Sequence, residues 1–509
     1  MRQSLTTKTI IVMFVTGLSK VIGFLRTAIL ASVFGATWQT DAFYMAQNII
    51  GIIAGISSSG LTSSLVPIRT QLINNQNKEY ADRFASSLVN IIVLITTGLA
   101  VLSVFLAPQL VYLFAPKFSG DQLSLTIFMV QALTVLIIIN ALIAVIAGIL
   151  NSSHHYLPAQ LMGFPLSIIT IFIAVIWGST QGIFAMLVGF IIGTIGQLLV
   201  LVLPIKKTLN YKLIIEKSSA LKDTIVMSIP IFISSSANII NQAVDKALAS
   251  GLQAGSISAI TYANQLTGLA TGIIILPITT TLFTSLSELT ANGEYERMKS
   301  ILTRVSTLMI IILSPITVDC LLLAKPIVSI VYQRGSFDEI ATGLTTASFF
   351  FLVLSLVAIG QHAALSRCFF ALKDSQTPLL VTLIGVMINI ILNFLLVKPM
   401  QIGGLALATS ISHFIICGMM LILLRRKVGP LGLFSWMKDS IKVLAGCIFM
   451  GPIVWLVFYR ISGRVVSKFI IACGTGAIVY LAILWILKQQ EIREVTNNFI
   501  SLIRNRKIT

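Results

Sequence analysis

Charged residues are scarce in this sequence. Asp, Glu, Lys and Arg make up only 10% of its 509 residues, whereas hydrophobic residues make up 56%. A soluble domain carries about 25% charged residues, so this chain lacks the side chains needed to cover a water-facing surface. Its mean hydropathy is +0.96. Apolar stretches such as 91–106, 127–150 and 183–203 recur almost from end to end. They approach or reach the roughly 20 residues that cross a hydrocarbon core, and the alternation typical of a β-barrel is absent, so we predict an all-α polytopic membrane protein.

Acidic residues are scarcer than basic ones, and cysteines are few. The 35 Lys and Arg against 17 Asp and Glu give a net charge of +18. The basic residues are spread over short connections between apolar stretches, as the positive-inside rule requires, so we reject a nucleic-acid partner. The five cysteines all lie in or beside apolar segments, which predicts packing rather than a disulfide framework; they are Cys320, Cys368, Cys417, Cys447 and Cys473.

The apolar stretches predict about fourteen transmembrane helices. Their approximate spans are 8–32, 40–66, 85–113, 122–150, 157–178, 182–205, 222–247, 256–286, 301–332, 341–370, 377–398, 402–424, 440–460 and 466–487. With this assignment, 25 of the 35 Lys and Arg fall at the termini and the even-numbered connections, and only seven at the odd-numbered ones. We therefore predict a multi-pass protein of the bacterial cytoplasmic membrane with both termini in the cytoplasm.

The chain also matches itself at an offset of about 214–220 residues. The pairs include Lys8 with Lys222, Leu30 with Leu248, Tyr44 with Tyr262, Pro158 with Pro378 and Gln181 with Gln401. Six helices per repeat is an even number, so both halves enter the membrane in the same direction, as a parallel pseudo-twofold repeat. We predict an N-lobe over 1–221, a C-lobe over 222–436, and two additional helices with a basic cytoplasmic tail over 437–509.

Ionisable residues inside the predicted spans are candidates for function, because a charge in the membrane is costly. The first helix carries Lys20 and Arg26. Two cations in an aqueous cavity suit a pyrophosphate, which arginine can bind in bidentate fashion. Alternatively, Arg26 neutralises Asp41 or Asp245. Asp41 itself either caps the second helix or belongs to the same functional site.

A second group of polar residues lies on three predicted helices. Asp245 ends the seventh span, Asn389 and Asn393 stand four residues apart on the eleventh, and Thr409 lies in the twelfth. Their oxygens can coordinate a small hard cation, or they can simply hydrogen-bond between helices. The sequence leaves both interpretations open.

Lys20, Arg26 and Asp41 lie within a series of motifs that resembles the MurJ-type proteins of the MOP superfamily. The motifs are 17–26, 34–36, 40–43, 66–68, 249–252, 262–264, 332–338 and 370–378. The resemblance implies fourteen helices in two lobes, a cationic central cavity and a groove for the lipid tail beside the last two helices. It also implies sodium binding at Asp245, Asn389, Asn393 and Thr409, although Asn393 stands where the family has a carboxylate.

Several positions depart from the family pattern. Many family members have arginine at the position of Lys20, and they usually have arginine at the position of Gln265 as well. Small residues around Ala54 and Gly55 replace further arginines in the second helix. The resemblance then implies a headgroup site formed by Lys20, Arg26, Asp41 and Gln265, with fewer cations than is usual in the family.

The resulting expectation is a flippase that moves lipid II, the undecaprenyl-pyrophosphate-linked peptidoglycan precursor, by alternating access. We expect a transporter rather than an enzyme, because no connection is long enough to house a catalytic domain. Its partners would be the lipid-linked sugar and membrane lipids, with the protein acting as a monomer near cell-wall synthesis proteins. Alternatives are a flippase for another undecaprenyl-pyrophosphate glycan, a cation-coupled drug exporter of the same superfamily, and a scaffold that does not transport. Membrane potential, sodium and protons all remain open as the energy source.

Overall fold

The computed structural model describes residues 2–75, 77–216 and 218–493, with side chains at 14–55, 64–75, 77–216, 218–228, 239–432 and 436–493. Within these ranges the regular structure is helical and contains no β-strand. The helices are α1 (Arg2–Phe34), α2 (Trp38–Asn74), α3 (Lys78–Phe105), α4 (Ala107–Phe114), α5 (Gly120–Leu133), α6 (Val135–Ser152), α7 (Leu157–Leu161), α8 (Gly163–Gln181), α9 (Ile183–Thr208), α10 (Ser219–Ala249), α11 (Ser256–Ala270), α12 (Leu276–Ala291), α13 (Tyr295–Leu322), α14 (Ala324–Tyr332), α15 (Glu339–Val353), α16 (Leu356–Ala371), α17 (Gln376–Met400), α18 (Ile402–Val428), α19 (Leu433–Arg460) and α20 (Val465–Ile486), with a π-helical turn at Thr271–Ile275.

This architecture confirms the predicted all-α membrane class. Eleven helices in the described part of the chain are long and apolar enough to cross a membrane, and α15 with α16, which bend by 45°, make a twelfth if they form one span. Each of the fourteen predicted spans overlaps one helix or a run of consecutive helices. The side chains at 56–63 in α2 and 229–238 in α10 lie outside the described residues. The number fourteen therefore stays a prediction.

Proline accounts for two breaks inside predicted spans. The predicted span 85–113 divides at Leu106, two residues before Pro108, and the π-helical turn immediately precedes α12, which carries Pro277. Proline has no backbone N–H to donate, and its ring collides with the carbonyl four residues earlier, so the preceding helix ends or distorts. The span 122–150 also divides, at Thr134.

The described residues form two compact units. Unit 1 draws on 1–265, 332–345 and 393–402, and unit 2 draws on 266–331, 346–392 and 403–493. In unit 1, α2 packs against α5, α6 and α10, and α1 packs against α8. In unit 2, α13 packs against α16 and α19, and α19 packs against α20. The lobe boundaries predicted from the repeat stay a prediction.

Each unit has an apolar core of its own. In unit 1, Leu65, Phe84 and Leu88 are buried together with Ile149 of α6. In unit 2, Met450 of α19 and Tyr480 of α20 share a core with α13, where the Tyr480 hydroxyl donates to the Ile311 carbonyl over 2.8 Å. The last two helices, α19 and α20, are therefore anchored to the rest of unit 2 through α13.

Candidate functional site

Asp41 joins the first turn of α2 to the first turn of α11. The α2 N-terminus is capped by Thr37, which forms a reciprocal capping box with Thr40. Asp41 is only 3% exposed. One carboxylate oxygen accepts from the Gly255 N–H over 2.7 Å, and the other accepts from the Ser258 N–H over 2.8 Å and the Ser258 hydroxyl over 2.6 Å. The carboxylate therefore caps α11, a helix more than 200 residues further along the chain, where its charge is favourable for the helix dipole.

Three connections of unit 1 meet beside this carboxylate, and glycine makes their close approach possible. Gly255 has φ +91°, and a Cβ there would overlap the Ala36 carbonyl oxygen. Gly335 has φ +58°, and a Cβ there would overlap the Ser32 carbonyl oxygen. Only glycine adopts such a conformation readily, so both positions need it. We call the connections 35–37, 250–255 and 333–338 the loop cluster.

Aromatic side chains pack directly next to the loop cluster. The ring of Tyr262 lies 5.8 Å from that of Tyr44, 5.3 Å from that of Tyr332 and 5.7 Å from that of Phe337. The Tyr262 hydroxyl donates to the Gly35 carbonyl over 2.9 Å, and the Tyr332 hydroxyl donates to the Tyr262 carbonyl over 3.1 Å. Such contacts between rings and hydroxyls fix the geometry as well as burying apolar area. This end of unit 1 is closely packed.

Arg26 lies in α1 with its side chain half-buried. Its guanidinium carbon lies 6.0 Å from the centre of the Phe190 ring of α9, within the range of a cation–π contact. Within the described residues it forms no ion pair with Asp41 or Asp245. The geometry therefore favours a guanidinium that is available to an anionic ligand.

Two other predicted headgroup residues have less defined surroundings. Lys20 is exposed, and Gln265 is half-buried on α11. In the part of the chain that the structure describes, neither side chain forms a hydrogen bond or an ion pair. A headgroup role for Lys20, Arg26, Asp41 and Gln265 stays a prediction, and the structure adds that the Asp41 oxygens are already occupied.

A cavity of about 290 Å³ lies between α2 and α10. Its lining comprises Gln47, Asn48, Gly51, Ile52, Ile239, Gln242 and Lys246. The Lys246 ammonium donates to the Tyr44 carbonyl over 3.4 Å. The sequence did not predict this cavity. The internal repeat could have indicated it, because the repeat aligns Gln47 with Gln265, which is a predicted headgroup residue.

The four predicted sodium ligands form two hydrogen-bonded pairs. In unit 1, the Asn393 amide donates to the Asp245 carboxylate over 2.6 Å. In unit 2, the Asn389 amide donates to the Thr409 hydroxyl over 3.3 Å. A cation needs oxygens rather than N–H groups directed towards it, so either amide would have to turn over to become a ligand. The described residues contain no group of three or more His, Cys, Asp or Glu arranged to hold a metal.

The apolar helices, the polar cavity between α2 and α10 and the intramembrane guanidinium together define a multi-pass membrane transporter. A family model described as lipid II flippase MurJ matches residues 30–474. The chain belongs to this family, and it is a transporter rather than an enzyme. It is accordingly a multi-pass protein of the bacterial inner membrane, where its surroundings are membrane lipids and its substrate is a lipid-linked molecule.

Relatives and solved structures agree with this assignment. The chain is 26% identical over 483 residues to the probable lipid II flippase MurJ of Thermotoga maritima, covering 94% of this chain and 96% of the relative. It is 26% identical over 474 residues to the protein of the same description from Buchnera aphidicola subsp. Acyrthosiphon pisum, covering 90% and 91%. A solved lipid II flippase MurJ in an inward closed conformation has the same fold, with a TM-score of 0.82, 24% identity and coverage of 95% of this chain and 100% of that one. A multidrug resistance MATE family transporter of the MOP superfamily is similar at a TM-score of 0.69 and 15% identity, with coverage of 83% and 98%.

Proposed function

We propose that this protein translocates lipid II across the bacterial cytoplasmic membrane by alternating access, with Arg26 binding the pyrophosphate. Membership of the lipid II flippase MurJ family supports the substrate. The structural observation that carries the binding role is a half-buried guanidinium in α1 without an ion pair to Asp41 or Asp245. The Asp41 oxygens accept from α11 instead, which leaves the Arg26 charge for the substrate.

The chemistry of the substrate explains why a cation is needed. A lipid-linked pyrophosphate carries about two negative charges, and an uncompensated charge in a low-dielectric region is expensive. A guanidinium offers two parallel N–H donors to phosphate oxygens, and the Lys20 ammonium six residues earlier adds a second charge. Alternating access then exposes the bound headgroup first to one side of the membrane and then to the other.

Complementation tests this proposal. We expect the protein alone to restore growth to bacterial cells depleted of their own lipid II flippase, and we expect Arg26→Ala to abolish the rescue at equal membrane levels. Accumulation of lipid II on the inner leaflet should fall as growth returns. If a well-expressed, inserted protein gives no rescue, lipid II is not its substrate; transport of a different undecaprenyl-pyrophosphate glycan would then account for the missing arginines at Ala54, Gly55 and Gln265.

We propose that both termini are cytoplasmic, on the basis of the asymmetry in basic residues. Single cysteines placed at Lys212 and Arg426, in a background without native cysteines, should resist a membrane-impermeant thiol reagent in intact cells and react after lysis. Labelling of either cysteine from outside would show that the protein has the opposite orientation. We also propose that the protein works as a monomer close to cell-wall synthesis proteins.

We propose sodium as a coupling ion at Asp245, Asn389, Asn393 and Thr409. Asp245 supplies the only full negative charge of this set. A cation that binds only one state stabilises that state by mass action, so sodium should raise the melting temperature of the wild-type protein and have no effect on Asp245→Asn. Potassium at equal ionic strength is the control. A wild-type protein that is indifferent to sodium would exclude the site.

A further inference from the structure

The cavity between α2 and α10 carries polar groups of a different kind from Arg26. On α2, Gln47 and Asn48 lie one turn before Gly51, and on α10, Gln242 lies one turn before Lys246. Positions four residues apart share a helix face, so these side chains enter the same space. The volume of about 290 Å³ holds far more than one or two water molecules, each of which takes about 30 Å³ in the liquid.

The amides of this cavity have few contacts with the described residues. Among these residues, the buried Asn48 side-chain oxygen has no hydrogen-bond partner. In the described part of the chain, Gln47 and Gln242 form no hydrogen bond either. Buried polar groups are almost always paired in native proteins, so the unpaired Asn48 acceptor beside this open cavity points to a ligand that donates to it.

The chemistry of the side chains that line this cavity decides which ligand the cavity can bind. A carboxamide both donates and accepts, whereas a pyrophosphate only accepts and is best matched by cations. Hydroxyl and acetamido groups, which carbohydrates carry, both donate and accept, and so they match amides. Lys246 adds one ammonium, which donates to the Tyr44 carbonyl at 3.4 Å and can donate to a sugar oxygen as well.

We propose that the cavity between α2 and α10 binds the carbohydrate part of the lipid-linked substrate through Gln47, Asn48, Gln242 and Lys246. This inference rests on the proposed function. The substrate site then has two parts, in which Arg26 binds the pyrophosphate and the amides bind hydroxyl and acetamido groups. Neutral amides also explain how this chain retains recognition of the headgroup with few cations.

Two lipids that share the polyprenyl pyrophosphate and differ in the disaccharide with its attached peptide test the proposal, and an undecaprenyl-pyrophosphate-linked disaccharide without the peptide, which should behave as lipid II does, is the control for the peptide. Purified full-length protein is titrated with lipid II and with undecaprenyl pyrophosphate, and binding is measured by native mass spectrometry or by thermal shift. Asn48→Leu combined with Gln242→Met keeps side-chain size and removes the amides. We expect this variant to bind lipid II about tenfold or more weakly, with unchanged affinity for undecaprenyl pyrophosphate. Unchanged affinity for lipid II, or an equal loss for both lipids, would overturn the proposal.

Gly51 allows the cavity to be filled without disturbing the helix. A Cβ at Gly51 meets no atom within 4 Å, and the same holds for Gly98 of α3, which serves as the matched control. Gly51→Phe should abolish the preference for lipid II over undecaprenyl pyrophosphate, and Gly98→Phe should keep it. If the wild-type protein binds neither lipid, the proposed function fails and this inference fails with it. If the wild-type protein binds both lipids equally well, only the carbohydrate site fails.

Discussion

Two arginines of unit 1 have opposite surroundings. Arg69, near the end of α2, is fully buried. One of its terminal nitrogens lies 3.0 Å from an Asp82 oxygen, and the other donates to the Ser152 hydroxyl over 2.8 Å and the Ser153 hydroxyl over 2.6 Å. An ion pair and hydrogen bonds of this kind offset the free-energy cost of burying a charge. Arg69 therefore ties α2 to α3 and to the end of α6.

Arg26, in α1, has no such set of partners among the described residues. Its described contact is the face of Phe190, and its side chain is only half-buried. We infer that the partners of a cation, rather than its residue type, separate the structural role of Arg69 from the proposed ligand-binding role of Arg26. Removing Arg69 should lower the stability of the protein and have little effect on substrate binding. Removing Arg26 should weaken substrate binding and have little effect on stability.

The largest expected effect is the loss of transport by Arg26→Ala. We expect flipping to fall to background in a transport assay, while membrane level and melting temperature stay near those of the wild type. Arg26→Lys keeps the charge without the bidentate geometry, so it should retain intermediate transport. Normal transport by Arg26→Ala would refute the pyrophosphate role. Recovery of transport when Asp41 is neutralised in the same protein would show that Arg26 serves to balance that carboxylate.

Arg69→Ala should show the opposite pattern. Removing one partner of a buried ion pair leaves the other charge uncompensated, which costs about 3–5 kcal/mol of stability. We expect a clearly lower melting temperature in detergent, but near-normal flipping per folded molecule. The double change Arg69→Met with Asp82→Leu removes both charges, and most of the lost stability should return. If Arg69→Ala alone leaves the stability unchanged, the ion pair between Arg69 and Asp82 does not stabilise the fold.

Asp41→Asn separates capping of α11 from headgroup binding. The variant loses a charged acceptor for the Gly255 and Ser258 amides, and we expect a loss of about 1–3 kcal/mol of stability without any substrate present. Asp121→Asn is the control, because Asp121 is an exposed acid in the first turn of α5. If Asp41→Asn is as stable as the control but binds lipid II more weakly, then the carboxylate acts on the headgroup.

The sequence predicted the fold class well because hydropathy is a local property. Apolar length alone located the helices, and the motifs around Arg26 and Asp41 identified the family. Partners distant in sequence could not be predicted. Asp41 meets Ser258 only in the folded chain, and the predicted span 40–66 left Arg69 in a connection although it is fully buried. Asn48 was not singled out from the sequence, because the cavity beside it forms only where α10 lies against α2.

The smallest expected effect concerns an ion pair outside the spans, between Asp374 in the α16–α17 connection and Lys427 at 2.5 Å. Burial alone would raise the pKa of Asp374, but hydrogen bonds from Lys427 and Thr377 outweigh it and lower the pKa to about 2. The unfolded carboxyl has a pKa of about 3.9, so the stabilisation is complete above that value and is lost as the pH falls towards 2. Asp374 also accepts from the Thr377 N–H at the start of α17, over 3.0 Å.

We therefore expect Asp374→Asn to cost about 1 kcal/mol, since Lys427 is half-exposed and screened by solvent. In thermal unfolding from pH 8 to pH 5, the melting temperature of the variant should stay below that of the wild type by a constant amount. The gap should close as the pH falls from about 4 to about 2. Glu296→Gln is the control, because Glu296 pairs with Lys299 but its side chain is 88% exposed, so that pair should contribute little at any pH. A gap for Asp374→Asn that does not narrow between pH 4 and pH 2 would mean that the shape of the side chain, and not its charge, stabilises the connection.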